Sequence, residues 1–439
     1  MTNSKLKIQN SQFSRYPRYK VSGVEWLSDV PEHWEVSRSR RVFVQRKELA
    51  RPHDPQLSAT QAYGVIPQAD YEERIGRKVV KISMHLEKRK HVEPDDFVIS
   101  MRSFQGGLER AWARGCIRSS YTIIQPLVKV APSYFTYLFK SPQYIASLQT
   151  TGSFIRDGQD LTYENFILVD LPVPPLEEQA RIGSFLDQNT AEIDALIAKK
   201  QRQIELLDEQ KAILINRAVT RGLNPNAKLK PSGIEWIGEI PEHWEVKNLK
   251  HASTAIGTGR TPSSVAQAED LPDGVHWYTP GDYQNNGFLD ASDRRAKSTR
   301  SETVETFPAG SLFYIGIGAT LGRVNISLHE AGCNQQINVI VINSAAHSSE
   351  YMLHLLTSGR EFIFSSSDFT TLPILNRSKT AALSIVAPPK EEQEAIAAFC
   401  ADLILKIQAV QMKVTENIQS LKAFRSSLIA HAVTGRIKV

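Results

Sequence analysis

At 439 residues, with 41% apolar and 23% charged positions, the chain has a globular composition and room for two or three cores, which excludes a disordered or fibrous protein. The formal net charge of +5 and pI near 8.9 permit a polyanionic partner without requiring one. Three scattered cysteines (Cys116, Cys333, Cys400), the lack of any apolar run of about 18 residues and a polar, basic N-terminus speak against a disulfide framework, a zinc site, a spanning helix and a secretory leader; a cytoplasmic protein is expected.

In chain order, residues 22–36 read SGVEWLSDVPEHWEV. His33 stands beside Trp34 there, and the pattern reads as a packing corner rather than catalytic chemistry. A mixed segment follows. Phe97-Val98-Ile99-Ser100 and Tyr121-Thr122-Ile123-Ile124 are strand candidates, set off by turn signals at Pro94-Asp95-Asp96 and Gly106-Gly107, and a helical pattern covers 133–148. Residues 40–170 carry 19 Lys and Arg against 14 Asp and Glu. Pro174-Pro175-Leu176-Glu177-Glu178-Gln179 then opens a segment, 177–221, with no proline and only Gly183. Acidic residues at its start and Gly222 after Ala218-Val219-Thr220 predict one long helix.

The same markers then recur. Residues 232–246 read SGIEWIGEIPEHWEV, identical to 22–36 at 10 of 15 positions, with His243 beside Trp244. The second mixed segment predicts strands at Leu312-Phe313-Tyr314-Ile315 and over 337–342, a turn at Asn285-Asn286-Gly287 and a helix over 349–364; residues 247–386 carry 11 basic against 12 acidic side chains. Pro388-Pro389-Lys390-Glu391-Glu392-Gln393 opens a second segment free of proline and glycine over 391–434, ending in Ala432-Val433-Thr434 and Gly435. The first pair of markers is offset by 210 residues and the other two by 214. A period that long is a duplicated domain with an appended element, not a solenoid repeat of about 20–50 residues. The expected segments are 1–173 and 223–387 as two mixed globules, and 174–222 and 388–439 as two helices, each near 65 Å long at about 1.5 Å per residue.

Both helices carry a heptad seam. It runs Leu186, Thr190, Ile193, Ile197, Lys200, Ile204, Leu207, Lys211, Leu214, Ala218 in the first. In the second it runs Cys400, Ile404, Ile407, Gln411, Val414, Ile418, Leu421, Arg425, Leu428, Ala432. So narrow a stripe needs a partner helix. The expected fold is therefore α/β (α+β): two duplicated mixed α/β domains separated by two long helices in an antiparallel coiled coil, with pseudo-twofold character.

The doubled SG(V/I)EW…(V/I)PEHWEV opening, the (V/A)PPxEEQ entry into a long helix and the AVT ending closely resemble the specificity (S) subunit of type I restriction–modification enzymes, over residues 19–439. The resemblance implies two target recognition domains, each reading one half of an asymmetric bipartite sequence in double-stranded DNA. It implies that the long helices set the spacing and bind two methyltransferase (M) subunits, with restriction/translocase (R) subunits further out. It implies a non-catalytic chain, with S-adenosylmethionine, ATP and Mg held by partners. Two other readings are a self-contained DNA modification or restriction enzyme with unfamiliar motifs, and a coiled-coil adaptor unrelated to DNA.

The chemistry-bearing motifs support the first reading. Neither Pro-Pro pair has the polar residue before it and aromatic after it that an adenine methyltransferase loop needs. Gly316-Ile317-Gly318 resembles a nucleotide turn, but Arg323-Val324-Asn325-Ile326-Ser327-Leu328 alternates like a strand where a helix is required. Base reading needs side chains that reach groove edges, with Arg suited to guanine and Asn or Gln to adenine. In the first globule the candidates are Arg102, Gln105, Arg110, Arg114 and Arg118, with Lys88, Arg89 and Lys90 as phosphate contacts. In the second they are Arg260, Thr261, Arg294, Arg295, Arg323, Asn334 and Gln335, where Thr261-Pro262, Gly281-Asp282 and Asn334-Gln335 are equally readable as framework shared with the family.

Overall fold

The computed structural model describes residues 13–79, 88–100, 103–152, 161–284, 287–299, 302–365 and 374–439. The chain forms two units: Met1–Gln201 with Thr415–Val439, and Arg202–Val414. Each takes in part of both long helices, Leu176–Arg221 (the central helix) and Lys390–Val433 (the C-terminal helix).

Among the described residues, the largest sheet of each unit is mainly antiparallel. In the first its spatial order is Phe43–Arg46, Thr122–Pro126, Phe97–Ile99, Glu109–Arg110. In the second it is Ser253–Thr258, Ile337–Ile342, Leu312–Ile315, Val324–Ser327, closed by a parallel edge strand Phe288–Leu289. Side chains alternate faces along a strand, and here both faces are covered. Phe97, Ile99 and Ile124 join one core with Phe43, Phe135 and Phe139, while Val98 and Ile123 join another with Leu57, Val92 and Ile117. In the second unit Leu312 and Tyr314 pack with Tyr351 and Leu355; Phe313 and Ile315 pack with Tyr278, Leu289 and Phe307. That double burial is why these strands read as continuous apolar runs.

The three duplicated motifs meet at one junction in each unit. In the first, His33 Nε2 lies 2.8 Å from Glu178 Oε2 and Trp34 Nε1 donates to Glu178 Oε1 at 3.0 Å. Gln179 Oε1 accepts from Ala131 N–H at 2.9 Å, and the Tyr134 hydroxyl lies 3.1 Å from Pro172 O and 2.9 Å from Val433 O. In the second, His243 Nε2 lies 2.8 Å from Glu392 Oε2, Gln393 Oε1 accepts from Ser348 N–H at 3.0 Å, and the Tyr351 hydroxyl lies 3.1 Å from Val386 O and 3.0 Å from Val219 O. Trp34 and Trp244 are fully buried at these junctions, and each neighbouring histidine is exposed and tied to a glutamate in the first turn of a long helix. The helix ends turn at Gly222 and Gly435, both at φ near +72°. One difference separates the junctions. Tyr16 donates to Glu178 in the first unit, whereas among the described residues Trp244 Nε1 of the second has no hydrogen-bond partner.

Every predicted seam position on both helices is buried or half-buried. The pairing is antiparallel within each unit. In the first, Ile193 and Ile197 pack into one core with Leu421, Leu428 and Ala432, and Arg425 Nε meets Asp194 Oδ1 at 2.9 Å. In the second, Ala218 and Val219 pack with Ile396 and Cys400, and Gln411 Nε2 donates to Ile204 O at 3.4 Å. The two seam cations differ, because Lys211 pairs along its own helix with Asp208 at 2.6 Å.

Two expectations need correction. The helical stretch 133–148 is two helices, Pro132–Leu138 and Pro142–Thr150, because Pro142 lacks the N–H that would continue the first. The stretch 349–364 likewise divides into Ser349–Ser358 and Arg360–Ser365 at Gly359, where a Cβ would stand 2.8 Å from the Trp236 ring. The C-terminal helix is long and apolar enough by composition to cross a membrane. Its seam residues Ile407, Val414 and Ile418 are buried against protein. The segment after Gly316 is a strand, Val324–Ser327, paired antiparallel to Leu312–Ile315 as its alternation predicts.

Candidate nucleic-acid interface

Strand register brings three connections to the same end of each sheet. In the first unit Arg46 is opposite Ile123 and Ile99 opposite Thr122, so the segments 47–56, 103–108 and 118–121 meet there. In the second Thr258 is opposite Asn338 and Ile315 opposite Ile337, so 259–265, 316–323 and 334–336 meet at the corresponding end. A bundle of connections at one sheet end, on a framework covered on both faces, suits a variable reading surface.

In the first unit this end opens into a cleft of about 1020 Å³, with Gln56, Gln61, Tyr63, Tyr71, Gln105 and Arg118 among its lining residues. Gln105 and Arg118 are exposed. Gln61 packs against the backbone of Gly106, where a Cβ would stand 2.3 Å from its Nε2, and Gly107 (φ +77°) lies so close to Phe139 O that a Cβ would meet it at 2.0 Å. These two glycines set the loop that carries Gln105. Sequence reasoning missed Gln56, Gln61 and Tyr63, which sit in no motif; the pair Gly106-Gly107 was the available signal that a side chain approaches there. The floor holds a buried carboxyl. Burial raises the Glu109 pKa, opposed by Lys140 Nζ at 2.7 Å.

The Lys88-Arg89-Lys90 cluster is not one surface patch. Lys88 is exposed, but Arg89 is buried, with Nη1 3.8 Å from Cys116 Sγ. Lys90 lies on the strand Lys90–Val92 and donates to Tyr121 O at 2.6 Å, with burial lowering its pKa. Lys90 stands opposite Ile117 in the pairing of that strand with Gly115–Ile117, and Arg89 precedes the strand and lies against Cys116. Arg110 and Arg114 stand away from the cleft. Arg110 holds Asp95 at 2.6 Å and stacks 4.3 Å over Trp112, and Arg114 Nε lies 3.8 Å from Glu93 and 3.9 Å from Asp54. Arg102 lies outside the described residues.

In the second unit Arg260 and Thr261 are exposed on the segment after Thr258, and the Thr261 hydroxyl donates to Gln335 Oε1 at 2.8 Å. Asn334 is half-buried beside them. Arg323 closes the third connection, donating from Nη2 to Tyr283 O at 3.2 Å. Arg294 is exposed and Arg295 half-buried on the strand Arg294–Ala296 of a neighbouring sheet, with Arg295 Nη1 donating to Gly274 O at 3.0 Å. The geometry therefore gathers Arg260, Thr261, Asn334 and Gln335, and leaves Arg294 and Arg295 on other structure.

Residues 112–206 and 241–419 match the family described as the type I restriction modification DNA specificity domain. The chain belongs to that family. As a member of the specificity family it is 29% identical over 224 residues to the type I restriction enzyme MjaVIII specificity subunit of Methanocaldococcus jannaschii, covering 50% of this chain and 49% of that protein. It is 26% identical over 321 residues to the putative MjaX specificity subunit of the same organism, covering 71% and 69%. The chain thus spans about half the length of the first of these relatives. Its fold is similar to the HsdS subunit of Thermoanaerobacter tengcongensis, with a TM-score of 0.53 at 16% identity over 93% of this chain and 98% of that one. It is also similar to a chain from a study of complex assembly and conformational transition of the type I R-M system, with a TM-score of 0.65 at 14% identity over 92% and 98%.

Proposed function

We propose that this chain is the DNA specificity subunit of a type I restriction–modification system, acting in the cytoplasm. Each unit reads one half of a bipartite target through the connections at its sheet end. The observation that carries the reading is the matched pair of sheet ends: one framework, duplicated, bearing different side chains. Arg118-Ser119-Ser120-Tyr121 stands in the first unit where Asn334-Gln335-Gln336 stands in the second, so the two half-sites differ. The long helices bind two methyltransferase subunits, and restriction/translocase subunits join through those. Exposed apolar side chains on both helices support this docking: Leu196, Leu206 and Ile213 on one, Leu405 and Met412 on the other. S-adenosylmethionine, ATP and Mg belong to the partners, and this chain contributes recognition and scaffolding. Mapping methylated bases in a host that expresses the chain with its methyltransferase partner tests the proposal. A single interrupted, asymmetric motif is expected. Methyl transfer by the chain alone would instead make it an enzyme.

A further inference from the structure

Three consecutive amide side chains close the sheet end of the second unit, and they are not equivalent. Asn334 and Gln336 tie each other down. The Gln336 N–H donates to Asn334 Oδ1 at 3.1 Å, Asn334 Nδ2 donates to Gln336 Oε1 at 3.0 Å, and the Asn334 N–H donates to Tyr278 O at 3.1 Å. Gln335 stands between them, exposed, and its amide oxygen accepts from Thr261, a residue 74 positions away on another connection.

A hydrogen bond between two exposed neutral side chains competes with water and contributes little to stability. Its consequence is orientation. An amide oxygen has two lone pairs, and Thr261 occupies one. The other lone pair and the Nε2 donors remain on the solvent side. An acceptor beside a donor in one plane is the pattern that matches N6 and N7 of adenine in the major groove. We infer, on the recognition reading above, that Gln335 reads an adenine in the half-site taken by the second unit and that Thr261 is the positioning residue that presents its amide. Asn334, by the same geometry, is framework.

The test uses the complex assembled with its methyltransferase partner, in competition binding to duplexes that carry each of the four base pairs at every target position. The unmodified complex is expected to prefer A·T at one position of that half-site by roughly 5- to 150-fold, the discrimination of a good bidentate contact. Gln335→Ala flattens the preference at that position alone and leaves the melting temperature unchanged. Thr261→Val weakens the preference at the same position, whereas Thr261→Ser retains it. The inference is overturned if Gln335→Ala weakens all duplexes equally or alters none, if the flattened position prefers G·C, or if Thr261→Val leaves the preference intact. An unmodified complex with no sequence preference would refute the recognition reading itself, which separates the two failures.

Discussion

Glu178 is the carboxylate on which the first junction turns. Burial alone would raise its pKa, but hydrogen bonds from Tyr16, His33 and Trp34 outweigh burial, and the carboxyl ionises below its ordinary 4.5. A carboxyl that releases its proton more readily folded than unfolded contributes stability above the unfolded pKa, and that contribution is lost as pH falls through the folded value. Below pH 4.5 the melting temperature is expected to fall more steeply for the native chain than for Glu178→Gln, read by calorimetry across a pH series. At neutral pH, Glu178→Ala strands the Tyr16 hydroxyl and Trp34 N–H and is expected to cost about 1–3 kcal/mol. Glu392→Ala is expected to cost less, since that side chain is partly exposed and lacks the tyrosine. A residue-scale contrast also holds at the interface. Lys88→Ala is expected to lower the salt slope of binding by about one for one lost phosphate contact. Arg89→Ala, at a buried position, is expected to lower the melting temperature and leave the slope unchanged; equal slopes lost by both variants would contradict the assignment.

At the scale of elements, the seam was legible because heptad periodicity is local, and each of its positions is buried or half-buried as predicted. Its energetics follow burial. Val414 is 4% exposed, so Val414→Asp places a charge in the seam and is expected to cost about 3 kcal/mol or more in chemical unfolding. Arg425→Met is expected to cost less than about 1 kcal/mol, because its bridge to Asp194 is solvent-exposed. Similar losses for the two would contradict the packing. What periodicity could not supply was strand burial in the interface. The burial of Arg89 shows in its contact with Cys116, 27 residues away, and the hairpin that offers Gln61 to the cleft carries no motif. The breaks at Pro142 and Gly359 were visible as residues, but the Trp236 ring that demands a glycine at 359 was not.

For the whole molecule, the duplication was legible in three short motifs, yet their meeting was not. The AVT ending of the C-terminal helix docks beside Trp34 in the first unit, almost the full chain length away, and closes a junction that the second unit forms from Arg202–Val414 alone. Gly435 O accepts from the Tyr19 hydroxyl at 3.1 Å and Lys438 N–H donates to Ser14 O at 2.8 Å, so removing residues 435–439 is expected to destabilise the first unit selectively, visible as lost amide protection in its sheet but not in that of the second. The central claim is that one framework, used twice, reads two half-sites independently. The most direct measurement is methylation mapping in cells that express the partner subunit with a chain whose residues 40–170 are exchanged for those of a relative. Only one half of the recognised motif is predicted to change, with the other half and the gap between them retained. A change in both halves, or in neither, would contradict the account.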